Sequence, residues 1–178
     1  HDPVFLLGTG DYIEGSTNEA VVQAQYGKFF DAISALNIQD IPVAFTTGNH
    51  DIRGSRRNVE IFEEYFGATY YSFNRGNAHI VILDSEIPGE EGTIRGEQWE
   101  WLVNDLNDCD ADVIFVALHR PLFPVGGHRG SSMDVDIPRR DRLHQLFVQH
   151  GVDAVFCGHE HMYNYQSPDT VDYFITGG

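Results

Sequence analysis

The sequence predicts an α/β layered fold built on a mixed sheet. Short apolar runs alternate with amphipathic helical patterns, and two pairs of strand-like runs sit close enough to form hairpins. The chain has 178 residues, 42% hydrophobic and 12% aromatic, enough for one domain with a core.

Each element has its own warrant. "PVFLLGTG" (residues 3–10) is apolar, short and closed by glycine, as a buried strand is. "STNEAVVQAQYGKFFDAISALNI" places Val22, Tyr26, Phe29, Ile33 and Leu36 on one helical face, with Ser16 and Glu19 as a capping box. "IPVAF" is the second strand. "NVEIFEEYFG" is a short helix with Asn58 as N-cap and Gly67 as its stop. "TYYSF" and "AHIVILDS", joined by "NRGN", form a hairpin. "GEQWEWLVNDLND" is a helix with Trp99, Leu102 and Leu106 on one side. "DVIFVAL" is a strand, "DRLHQLFVQHG" a helix ended by Gly151, and "DAVFCG" a strand. "HMYNYQ" and "VDYFITGG" close the sequence as a hairpin across "SPDT".

Charge narrows the function classes. Asp and Glu total 27 against 11 Lys and Arg, a formal net charge of −16. Such a field repels nucleic-acid backbone and anionic membranes, which excludes both as bulk partners. No apolar run approaches the roughly 18 residues of a membrane span. Cys109 and Cys157 make no disulfide framework. The chain opens on "HDPVFLLGTGDY", with neither Met nor a basic leader, and so reads as a fragment of unassigned compartment.

The chemistry-bearing residues gather behind the apolar runs. The strand ends lead to Asp11, to Asn49-His50-Asp51, to His119 and to His159-Glu160-His161. Open α/β sheets bind ligands beyond the carboxyl ends of their strands. Gly10, Gly48 and Gly158 precede three of these groups and allow close backbone approach. Asp, Asn and imidazole together suit Mn, Fe or Zn rather than Ca. His159 and His161, two apart in an extended segment, would point the same way and could ligate one ion, or two neighbouring ions if the local backbone twists. Asn49 is a candidate ligand, His50 a candidate acid or transition-state stabiliser, and Asp51 the carboxylate that orients His50.

"GDYIE", "GNHD", "VALH" and "GHEH", in that order, resemble the calcineurin-like metallophosphoesterases across nearly the whole chain, and "RGEQWEWL" adds to the likeness. The resemblance implies a single domain over residues 1–178, a four-layer αββα sandwich of mixed sheets. It implies hydrolysis of phosphate esters by a dinuclear metal centre with a metal-bound hydroxide nucleophile. Two divalent or mixed-valence transition-metal ions (Mn, Fe or Zn) are implied and no organic cofactor. Asp11 would bridge the ions, Asn49, His119 and His159 would complete one shell, and His161 would bind the other. His50, held by Asp51, would sit by the leaving group.

Two departures qualify the likeness. The family's first strand carries an Asp-x-His pair, and none precedes Asp11. The expectation is a domain cut after that strand, with one shell short of ligands and an apolar slot left open; the C-terminus is the second candidate end. The purple acid phosphatase branch, which "VALH" resembles, places a Tyr three residues after the bridging Asp. Here Glu14 stands there, so no iron–tyrosinate centre is expected, and Tyr12 should point elsewhere.

Other residues weigh less. His128 lies on a glycine-rich loop after His119 and is a candidate substrate contact, as is Arg53. Arg56 and Arg57 read as solvated, Arg120 as the partner of an acidic loop, His79 as a strand residue, and His144 and His150 as solvated. A phosphoesterase-like scaffold that binds protein partners is the alternative reading. It has no need of Asp11, Asn49, His119, His159 and His161 together.

Overall fold

The computed structural model describes residues 5–36 and 41–177. The order is β1 (Leu6–Gly8), α1 (Glu19–Ala35), β2 (Val43–Phe45), α2 (Asn49–Ile52), α3 (Arg56–Phe66), β3 (Tyr71–Arg75), β4 (Ala78–Ile82), α4 (Gly96–Asn107) and β5 (Val113–Ala117). A 3-10 turn (Met133–Asp136), α5 (Ile137–Gln149), β6 (Ala154–Cys157), β7 (Tyr163–Gln166) and β8 (Asp172–Thr176) follow. β1 and β2 pair in parallel, and the remaining strands form one sheet ordered β3-β4-β5-β6-β8-β7. Its inner strands are parallel, and both expected hairpins supply its antiparallel edges.

Strand alternation builds four layers. Ile80 and Ile82 of β4 meet Ala44 and Ala117 between the two sheets. Val81 turns the other way and packs with Leu102 and Leu106 of α4 and Leu143 and Phe147 of α5. Beyond the small sheet, Val22 and Tyr26 of α1 pack against Ile61 and Phe62 of α3. Each such fully buried side chain contributes roughly 1.5–3 kcal/mol. The result is the αββα sandwich. Among the described residues β1 has a partner strand on one edge only. Beside it lies a cleft of about 310 Å³ lined by Phe5, Leu7, Thr9, Phe115, Phe156 and Thr176.

Several local expectations are corrected. α1 is capped by Asn18, whose side chain accepts from Val21 N, because Ser16 Oγ is taken by Asn18 N. Leu36, at the end of its apolar stripe, is 62% exposed, since the helix runs past the core there. Residues 3–4 of the first strand and 37–38 of the helix lie outside the described residues. α3 begins at Ser55, not Asn58; Asn58 is buried and donates to the Ser16 and Ile52 carbonyls. α5 starts earlier than expected because Asp136 caps it and Pro138 fits its first turn. His144 is buried, not solvated: its ring nitrogens face Tyr173 Oη and Asp169, both at 2.8 Å. "GNHD" is a single helical turn, α2.

One buried acid makes stability pH-dependent. Asp84 is 1% exposed, beyond the end of β4, and burial pushes its carboxyl from 3.8 to about 6. A raised native value means the folded chain holds this proton more tightly than the unfolded one. This group's contribution is therefore full below about pH 4, falls as pH rises to about 6, and amounts to about 3 kcal/mol. Asp84→Asn keeps an acceptor for Thr47 Oγ1 and Glu86 N. The variant should gain on the parent between pH 4.5 and 7.5 in urea melts; an equal difference at both pH values refutes the assignment.

Candidate metal centre

Four strand ends converge on one point. β1 leads to Asp11, β2 to Asn49 at the start of α2, β5 to His119 and β6 to His159. Asn49 Oδ1 lies 2.9 Å from His119 Nε2 and 2.8 Å from His159 Nδ1. The two imidazole nitrogens are 3.1 Å apart, and Asp11 Oδ2 is 3.3 Å from His119 Nε2. Donors that share one ion at roughly 2.0–2.2 Å stand about 2.9–3.4 Å from one another.

The protonation pattern has the same meaning. His119 Nδ1 donates to the Thr9 carbonyl at 2.7 Å, so Nε2 faces acceptors in the remaining cluster. Burial opposes charge on His119, but Asp11 and Glu86 outweigh it and raise its pKa. Burial also opposes ionisation of Asp11, yet His119 and His50 hold its carboxyl below the usual range. The carboxylate of Asp11 thus favours positive charge at this point, and a metal ion would supply it. His159 is driven down to about 3, by burial first and then by His119, Arg120 and His128, so it stays neutral with a lone pair to give. Its Nε2 is buried without a hydrogen-bond partner among the described residues. The residues fit a borderline transition-metal ion, as their mixed oxygen and imidazole donors require.

The backbone is strained to bring them there. Asp11 (φ 60°) and His159 (φ 66°) both occupy the left-handed region, which costs a non-glycine residue of order 1 kcal/mol. At Asp11 the conformation is held by N–H donation to Asp51 Oδ2 at 2.8 Å.

Asp51 does not orient His50. Its buried carboxylate accepts from Asp11 N, Gly48 N and Tyr26 Oη, so it fixes the strand ends instead. Burial, and then the charge of Asp11, push it up to about 7. The His50 ring is held by the Glu14 carbonyl, 2.9 Å from Nδ1, while its backbone N–H donates to Asp11 Oδ1 at 2.8 Å. Nε2 of His50 has no hydrogen-bond partner among the described residues.

The remaining expectations divide. His128 does overhang the site, its ring 4.3 Å from that of His159. His161 is exposed and lies outside the four-donor cluster, 5.8 Å ring to ring from His128; the turn at His159 breaks the extended segment that would have aligned the pair. Arg53 gives its guanidinium to the Glu14 carbonyl rather than leaving it free. Arg120 forms the expected acidic partnership, a fork on Glu86. Tyr12 points away, into a cluster with Phe29, Phe45 and Phe66. Sequence reasoning missed the Thr9 and Glu14 carbonyls, because every residue carries one and none is marked. It also passed over Glu160, an acid flanked by two histidines.

The layered fold and this donor cluster define a metallophosphoesterase-like domain. The sequence pattern described as calcineurin-like phosphoesterase matches residues 1–163, and the chain belongs to that family. Phosphoenolpyruvate phosphatase of Allium cepa is 31% identical over 98% of this chain and 38% of its own length. Tartrate-resistant acid phosphatase type 5 of Oryctolagus cuniculus is 26% identical over 97% of this chain and 60% of its own. This chain therefore spans less than two thirds of either relative. In fold it is similar to a purple acid phosphatase from yellow lupin (Lupinus luteus), with TM-score 0.76 and 18% identity over 98% of this chain and 37% of that one. No helix among the described residues is long and apolar enough to cross a membrane.

Proposed function

We propose that this domain hydrolyses phosphate esters at a dinuclear metal centre. The observation that carries the reading is the convergence of Asp11 Oδ2, Asn49 Oδ1, His119 Nε2 and His159 Nδ1 on one point. Those residues would hold one ion, and Asp11 with His161 would hold a second. When bound, the ions activate water and clamp the phosphoryl oxygens for in-line attack. Asp51 and Thr9 keep Asp11 and His119 aimed at the ions. His50, with Nδ1–H donated to the Glu14 carbonyl, leaves Nε2 free, and as the imidazolium it would give its Nε2 proton to the leaving oxygen. The bound cations also give an acidic chain a way to attract a phosphate.

The test is metal stoichiometry together with turnover of p-nitrophenyl phosphate after reconstitution with Mn. Bound metal without hydrolysis would move the domain to a scaffold role. His50→Asn should keep the wild-type metal content and lower kcat by roughly 10²–10⁴-fold. Wild-type turnover in that variant would remove His50 from the mechanism.

A further inference from the structure

Glu160 is a buried carboxylate, 2% exposed, that the reaction described above does not use. Its Oε1 accepts from the backbone N–H groups of Gly126 (3.1 Å) and His128 (3.2 Å). Its Oε2 lies 3.8 Å from His128 Nδ1. That nitrogen is closed off from solvent and has no hydrogen-bond partner among the described residues. No lysine or arginine pairs with Glu160 among the described residues. A carboxylate is buried at a cost that only specific partners offset, and here every partner belongs to one loop. The loop passes directly against it: a Cβ at residue 126 would overlap Glu160 Oε2 and displace the carboxylate. The same loop lays the His128 ring over His159.

The geometry points to Glu160 as the positioning residue for His128. Two backbone bonds pin residues 126–128, and Oε2, 3.8 Å from Nδ1 and short of a hydrogen bond to it, sets a negative charge behind the ring. A carboxylate behind a histidine biases the ring's orientation by its charge, the relation expected of Asp51 and His50 but built here between other residues. What His128 does rests on the hydrolase reading; where Glu160 holds it does not.

A double-mutant cycle on the Mn-loaded chain tests this, with p-nitrophenyl phosphate as probe. Glu160→Ala should lower kcat by about as much as His128→Ala, roughly 10–100-fold, with KM within about threefold and metal content unchanged. Combining the two should lower kcat no further than His128→Ala alone. Glu160→Gln, which keeps an acceptor for both N–H groups but removes the charge behind the ring, should restore slow exchange at Gly126 and His128 and recover only part of kcat. Multiplying effects in the double variant, or loss of metal with Glu160→Ala, overturns the inference. If the parent chain hydrolyses nothing, the functional reading fails, and amide exchange on the metal-free chain still decides the placement. Glu160→Ala in a folded chain should speed exchange at Gly126 and His128 by about tenfold or more and shift the His128 ring nitrogens. Unchanged exchange at both amides overturns the inference.

Discussion

Asp11→Asn should abolish metal retention and lower phosphate-ester turnover by roughly 10³-fold or more, while leaving the metal-free fold intact. The substitution keeps one oxygen but removes the charge that faces His119 Nε2 at 3.3 Å. The new amide N–H₂ would compete with an ion for the lone pairs of the cluster. The fold should tolerate the change, because the charge of Asp11 raises the pKa of Asp51 and its removal relieves that repulsion. The discriminating measurement is a pair of thermal melts, with and without Mn. At a free metal concentration 100 times the dissociation constant, the parent should gain about 2.7 kcal/mol and the variant almost nothing. Equal metal-induced gains would show that Asp11 is not a ligand. A variant unfolded without metal would show that its role is structural.

Gly48→Ala should weaken metal binding by about 10²-fold and destabilise the chain by about 2 kcal/mol. The cause is space, not conformational freedom, since φ at Gly48 is −119°. A Cβ there would overlap Asp11 N and Asp11 Oδ1 and come within 2.9 Å of Asp11 Cα. Backbone atoms cannot swing aside as a flexible side chain does, so β1 must move away from α2. That movement breaks the donation of His50 N to Asp11 Oδ1. Gly27→Ala is the control. Gly27 is exposed on α1 with no atom within 4 Å of the new Cβ, and the change should stabilise by about 1 kcal/mol. Isothermal titration with Mn and thermal melts on both variants separate the two effects. Wild-type metal affinity in Gly48→Ala would show that β1 and α2 do not need to approach this closely.

Much of the architecture was legible because it depends on local pattern. Short continuous apolar runs marked β4, β5 and β6, helical patterning marked α4 and the body of α5, and two short polar turns marked the hairpins. Their ends were less legible. Ser16 and Asn58 both have good capping chemistry, but Asn18 and Ser55 take the caps because Ser16 and Asn58 are bonded elsewhere. His144 looked solvated beside polar neighbours on its helix. Its burial is set by Tyr173 and Asp169, more than twenty residues away in sequence.

The same division holds at the site. Residue type and place at a strand end brought Asp11, Asn49, His119 and His159 forward as candidates, and His161 with them, since few side chains can share an ion; the stacking of the two sheets brought the first four together. Tertiary structure alone decided which atom holds which ring. Asp51 follows His50 directly, yet the left-handed turn at Asp11 and the tight turn of α2 aim its carboxylate at the backbone N–H of Asp11, on another strand end, and of Gly48, on its own. The partners of His119 and His50 are main-chain carbonyls, and Glu160 meets His128 across 32 residues. Ligand identity is a property of side-chain chemistry, which sequence states outright. Orientation depends on where the backbone passes in space, and that follows only from the packed fold.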